Sequence, residues 1–234
     1  MKAVFISSIF FSSLFLMPLS AQDCDQYFAF RDGITMEMTN YDAKDKVEGK
    51  SIMQVNSDNT TSQNAASTLS ISYYDKKGEK LFENLDIQLV CKDRTLSIDR
   101  ASFNNLFNTM KEVEGMEVDV HGEFLEYPAD MKVGDELTEA PYTVTTGMSG
   151  INMTVNTTIG NRKVLSEESV TVPAGTYQCY KISYDLITKN NFMNTTMSYE
   201  EWYAPEVGMP VKSISYKNNG KIASKSVLTK LTGI

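Results

Sequence analysis

The sequence predicts a mainly β protein: an antiparallel sheet forming an open or incomplete barrel wrapped around one short helix. Three observations carry this reading. Residues 170–213 alternate, with Tyr180, Ile182 and Tyr184 on one face and Cys179, Lys181 and Ser183 on the other. Gly/Pro turns punctuate the same stretch at Pro173-Ala174-Gly175 and between Pro205 and Gly208. Period-two alternation between such turns marks antiparallel strands with one buried face. Only residues 102–113 break the pattern, with Phe103, Leu106, Phe107 and Met110 spaced i, i+3, i+4, i+7, the apolar stripe of a helix.

The first element is a leader. Lys2 supplies a positive start, residues 4–16 an apolar run, and Pro18-Leu19-Ser20-Ala21 a small-residue cleavage site after Ala21. The run is shorter than the roughly 20 residues a spanning helix needs, so residues 1–21 read as a signal peptide and 22–234 as a single open-barrel domain. Asp23, not a small residue, precedes Cys24, so lipidation at Cys24 is not expected. No later segment is long and apolar enough for a transmembrane anchor, and the expected location is periplasmic or secreted.

Strands are expected over 34–41, 50–56, 67–74 and 79–91, with a short fifth around Leu96 and Ile98. Asp75-Lys76-Lys77-Gly78 turns the third into the fourth. The helix over 102–113 has Ser102 as a cap and Gly115 as its end. Its apolar face is expected to plug the concave side of the sheet. Strands resume over 116–122. Residues 123–140 are irregular, broken by Pro128 and Gly134. Further strands follow over 142–146, 151–159, 163–172, 177–188, 196–204, 211–216 and 221–231. Asn219-Gly220 is a two-residue hairpin signal, because both residues accept positive φ. The Tyr74 to Gly78 and Tyr216 to Gly220 turns echo each other, which turn chemistry alone explains.

Lys2 is the only charged residue of the leader, so residues 22–234 carry 21 Lys and Arg against 30 Asp and Glu, a net charge of −9. That balance argues against nucleic acid and against anionic membrane surfaces as main partners. The odd cysteine count leaves one thiol over in an oxidising compartment. Cys24 lies in a terminal segment that must be tied down and Cys91 ends an alternating strand, so a Cys24–Cys91 disulfide is expected. Cys179 is then a packed thiol.

Reactive constellations are sparse. His121 is the only histidine, and three scattered cysteines make no zinc cluster. The turn at Asp42, Lys44 and Asp45 lacks the Gly and Glu of a calcium loop. No nucleophile elbow or phosphate loop occurs, and adjacent Glu200 and Glu201 must point to opposite sheet faces. No catalytic residue, metal or cofactor is therefore expected. The domain carries 11 methionines, which fill irregular cores or grip variable apolar ligands.

Pro173-Ala174-Gly175-Thr176, Cys179-Tyr180-Lys181-Ile182, Trp202-Tyr203-Ala204 and Val207-Gly208 resemble the signature of TapB-like secreted proteins of Bacteroidetes-type bacteria. Cys24-Asp25, Tyr27, Phe30, Gly33 and the approach to Asp42 fit as well. The family is similar in fold to the LolA/LolB lipoprotein carriers, which implies a groove able to hold acyl chains. The functional expectation is a non-enzymatic exported protein whose cup holds a lipid, another apolar ligand or an apolar segment of a partner. Its lining is expected from Phe103, Phe107, Met110, Tyr180, Ile182, Tyr184 and Trp202. The alternative is a structural or interaction protein of the cell envelope, with a solid core and an envelope protein as partner.

Overall fold

A computed structural model describes residues 23–98, 102, 117–122, 125–148, 151–190 and 194–234. The expected signal peptide therefore lies outside the described residues. So does the expected helix over 102–113 except Ser102, and with it Phe103, Phe107 and Met110.

Among the described residues, thirteen strands form one antiparallel sheet. In chain order they are β1 (Thr35–Asp42), β2 (Val47–Thr60), β3 (Asn64–Asp75), β4 (Lys80–Lys92), β5 (Thr95–Ile98), β6 (Glu117–Gly122), β7 (Glu126–Pro128), β8 (Ala140–Met148), β9 (Ile151–Val172), β10 (Gly175–Lys189), β11 (Asn194–Ala204), β12 (Met209–Tyr216) and β13 (Ile222–Thr232). Their spatial order is β6-β8-β9-β10-β11-β12-β13-β1-β2-β3-β4-β5-β7. Two meanders are thus sewn together by β13 on β1, with Thr35 opposite Thr232 and Asp42 opposite Ser224. The sheet curls but does not close into a hydrogen-bonded barrel, as its edges β6 and β7 are not paired to each other.

Alternation places the core. Met36, Met53, Ile71 and Leu85 oppose one another across β1 to β4. All four are buried on the inner face. Two departures from the expected elements have local causes. Residues 151–159 and 163–172 are one strand, because Asn161 takes a positive φ of 53° and the ladder absorbs it as a bulge. A short strand, β7, sits inside 123–140, where three residues ending in Pro128 are too few to show a period.

Among the described residues, the inside of the curl is filled from the N-terminus. Two short 3-10 turns, Cys24–Gln26 and Phe28–Phe30, run through it. Tyr27, Phe28 and Phe30 are each at most 5% exposed; a fully buried aromatic of this size stabilises by roughly 1.5–3 kcal/mol. The backbone is held as well. Phe28 and Ala29 donate to the carbonyls of Glu206 and Val207, and Ser67 Oγ donates to the Ala29 carbonyl at 2.5 Å. Cys24 is disulfide-bonded to Cys91 in β4, while Cys179 is a free, fully buried thiol. Burial pushes the Cys179 thiol up to about 12, which keeps it protonated and unreactive.

Three hairpin turns at one end of the sheet share a design. In 42–46 and 75–79 an Asp Oδ1 accepts from the amides two and four residues on. The fourth residue, Asp45 or Gly78, takes positive φ. The 217–221 turn repeats the backbone bonds, with Gly220 at positive φ. Their adjacency follows from the strand order β12-β13-β1-β2-β3-β4. At a strand spacing of about 4.8 Å, successive turns stand roughly 10 Å apart along the mouth of the curl.

Candidate functional site

The ladder register sorts the expected site residues by face. Tyr180, Ile182 and Tyr184 lie opposite Tyr203, Glu201 and Tyr199 and share the inner face with them. Lys181 lies opposite Trp202 on the other face. Trp202 is therefore not part of the cup. Its indole Nε1 donates to Glu168 at 2.5 Å, and the Lys181 and Lys212 ammonium groups sit 5.0 and 4.2 Å from its ring centre. An even-numbered residue on β11 cannot share a face with Glu201 unless a bulge intervenes between them, and none does on the β10 side. Glu200 likewise faces outward, paired with Lys181 at 2.7 Å and accepting from Tyr216. Burial works against its charge, but those two partners prevail and hold its carboxyl below the usual range.

The inner face has two zones. At the closed end, β7 lies over β9 to β11 like a strap. Tyr127 stacks on Tyr203 with ring centres 4.3 Å apart and donates to Glu201 Oε1 at 2.8 Å. Arg162, only 2% exposed, ties β9 to the strap: Nη1 donates to the Thr138 carbonyl at 2.8 Å and Nη2 to the Glu126 carbonyl at 2.9 Å. Its guanidinium lies 5.2 Å from the Tyr127 ring centre. Among the described residues, Arg162 Nε and the Tyr203 hydroxyl have no hydrogen-bond partner. Tyr180 and Ile182, 4% and 0% exposed, are packed in this zone.

Glu201 is the unusual group here. Burial raises its carboxyl to about 7 against the opposing pull of the Tyr127 hydrogen bond and the Arg162 charge. A raised carboxyl means the folded state holds its proton more tightly than the unfolded chain does. Stability from this group is then greatest below the unfolded value near 4.5 and falls as pH rises toward about 7. The full drop is about 3 kcal/mol. Glu201→Gln removes the titration, so its urea-unfolding free energy should lose this decline between about pH 5 and about pH 8. An unchanged slope in the variant would show that Glu201 is not the titrating group.

At the open end the inner face turns small and polar. One row of facing residues runs Ile182, Glu201, Ser213, Ser226, Asn40, Gly49, and the next runs Tyr184, Tyr199, Ser215, Ser224. Tyr184 and Tyr199 stack at 5.0 Å, and Ser215 and Ser224 share a hydrogen bond of 2.7 Å. Short side chains on a concave surface leave space. A hollow of about 370 Å³ opens here, floored by Ser213, Ser215, Ser224 and Ser226 and walled by Tyr73, Tyr199 and Leu81. Glu201 does not line it.

Tyr127, Arg162 and the burial of Glu201 were not anticipated from the sequence. One signal was there to find: Arg162 and Val164 alternate with exposed Asn161 and Lys163, which puts an arginine at an inward position. Among the described residues no group of His, Cys, Asp and Glu is arranged to hold a metal.

A family model described as DUF3108-like matches residues 31–228. The chain belongs to the DUF3108-like family. The match spans the stretches around 173–183 and 201–208 that carry the motifs noted above. Among solved structures, a protein described as a lipoprotein from Parabacteroides distasonis ATCC 8503 is similar at 24% identity and TM-score 0.70, covering 90% of this chain and 100% of that one. A protein described as exported, with a YmcC-like fold, from Bacteroides fragilis NCTC 9343 is similar at 20% identity and TM-score 0.67, covering 88% and 98%. These share the fold with this DUF3108-like chain. No match was found among curated proteins.

Proposed function

We propose that this DUF3108-like protein is an exported, non-enzymatic binding protein. It holds a small amphipathic ligand in the serine-floored hollow at the open end of its curled sheet. The hollow carries the reading. Its floor offers hydroxyls that donate and accept, and its walls offer Tyr73, Tyr199 and Leu81 to an apolar portion. Its size sits at the low end for small-molecule sites, roughly 300–1,000 Å³, which suits a headgroup with a short length of chain rather than a whole acyl tail. Export is supported by the leader pattern, by the Cys24–Cys91 bond, and by the description of the similar Bacteroides protein as exported.

The alternative, an envelope interaction protein with a solid core, draws on the closed end, where Met36, Met53 and Met131 are packed at most 4% exposed. Native mass spectrometry of protein purified without detergent, followed by solvent extraction, separates the two. The expected result is a co-purifying amphiphile that is depleted roughly tenfold in Ser226→Phe, a change that fills the hollow. Wild-type protein that is ligand-free and does not enhance an apolar dye's fluorescence would favour the solid-core reading.

A further inference from the structure

The mouth of the curl carries a charge that the whole chain hides. The turns 42–46, 75–79 and 217–221 hold six lysines against four acids, a local charge of +2 in a chain of net charge −8. The acids are also the less available partners. The Asp42 and Asp75 carboxylates accept from backbone amides of their own turns, and Asp45 is paired with Lys225. Hydrogen bonds from the Lys46 and Lys44 amides hold the Asp42 carboxyl below its usual range. Among the described residues, Lys44, Lys46, Lys76, Lys77, Lys217 and Lys221 are exposed and make no ion pair, while Lys80 is paired with Glu83.

Apolar side chains stand exposed beside these lysines. Val47 opens β2 at 47% exposure. Leu81 and Phe82, at 58% and 44%, follow the 75–79 turn. A bulge explains the pair: Tyr73 opposes Phe82 and Tyr74 opposes Lys80, so Leu81 has no place in the ladder. Leu81 also lines the hollow. One rim therefore combines lysines, apolar tips and the entrance to the ligand space.

We propose that this rim docks the protein onto a bilayer surface rich in anionic lipid. The lysines meet lipid phosphates, Val47, Leu81 and Phe82 enter the interfacial region, and the hollow faces the membrane. Basic residues near an anionic surface attract it additively over about a Debye length, and apolar side chains add a salt-resistant part. The acidic remainder of the molecule is repelled by the same surface, which orients the mouth toward it. The inference stands on the rim and goes beyond ligand holding, so either can fail alone.

Flotation with vesicles of one part phosphatidylglycerol to three parts phosphatidylcholine tests it, with pure phosphatidylcholine as the comparison. The expected result is binding to the anionic vesicles only, weakened by salt. Reversing Lys76, Lys77 and Lys217 together (Lys76→Glu, Lys77→Glu, Lys217→Glu) should weaken binding at least tenfold. Leu81→Ser with Phe82→Ser should remove the portion that survives high salt. Reversing Lys92, Lys132 and Lys163, which lie away from the mouth, changes net charge equally and should leave binding within about twofold. Native mass spectrometry of the triple lysine variant, whose three positions do not line the hollow, should still show any co-purifying ligand, which separates docking from holding. No binding to the anionic vesicles, equal binding to both vesicle types, or equal loss from the two lysine sets would overturn the proposal.

Discussion

Arg162→Met should lower the unfolding free energy by about 3–5 kcal/mol, the usual cost of removing one member of a buried charged cluster. Methionine fits the volume but donates nothing. The carbonyls of Thr138 and Glu126 lose their donors, at 2.8 and 2.9 Å, in a place where water does not replace them. Glu201 loses the nearby positive charge that offsets its burial, so its carboxyl rises further and stability keeps falling above neutral pH. Urea unfolding at several pH values measures both effects. Hydrogen exchange should show the amides of β7 opening before those of β9, because Arg162 is the buried tie between strap and sheet. Arg162→Lys should not restore the loss, since one ammonium cannot span two carbonyls that a planar fork reaches together. A destabilisation under about 1 kcal/mol would mean that pairing with β5 and the Tyr127 contacts hold the strap without Arg162.

Removing the disulfide is the other large perturbation. Cys24 and Cys91 are 67 residues apart, and closing a loop of that length is worth about 4 kcal/mol in the chain-entropy account. Cys24→Ser with Cys91→Ser should cost that much and should act first on the N-terminal plug. Cys24 is followed directly by Tyr27, Phe28 and Phe30, which fill the inside of the curl. Without the bond their docking rests on the backbone contacts to Glu206, Val207 and Ser62 and on the Ser67 hydroxyl. Thermal unfolding with and without reductant, followed by tyrosine fluorescence, reads the loss. Wild-type protein indifferent to reductant would indicate that packing alone secures the plug.

The strands were legible because half-buried antiparallel strands declare themselves by alternation, as 64–75 does with Ala65, Ser67, Leu69 and Ile71 turned inward. The disulfide was legible because a terminal cysteine and a strand-end cysteine left Cys179 as the spare. The strap was not. Three residues ending in proline carry no periodicity, and the contacts that make β7 matter come from Arg162 and Glu201, 34 and 73 positions beyond its last residue. The site was half legible. Alternation put Tyr180, Ile182 and Tyr184 on the inner face, but sequence spacing does not say that β7 covers the first two. Trp202 was expected in the lining, but it is adjacent to Glu201 on β11 and so lies on the other face, where it is buried. Net charge concealed the basic rim, because averaging over the chain erases a patch built from three turns far apart in sequence.

The seam between β1 and β13 has a bearing on how the chain reaches this state. Each meander can zip up from neighbouring hairpins, and Cys24 can find Cys91 within the first of them. The continuous sheet requires Thr35 to meet Thr232, a partner 197 positions further along the chain. Pairing over such separations is slow, since the loop must be closed before any contact rewards it. The two meanders therefore form ahead of the seam that joins them, and closing that seam sets the pace of the whole sheet.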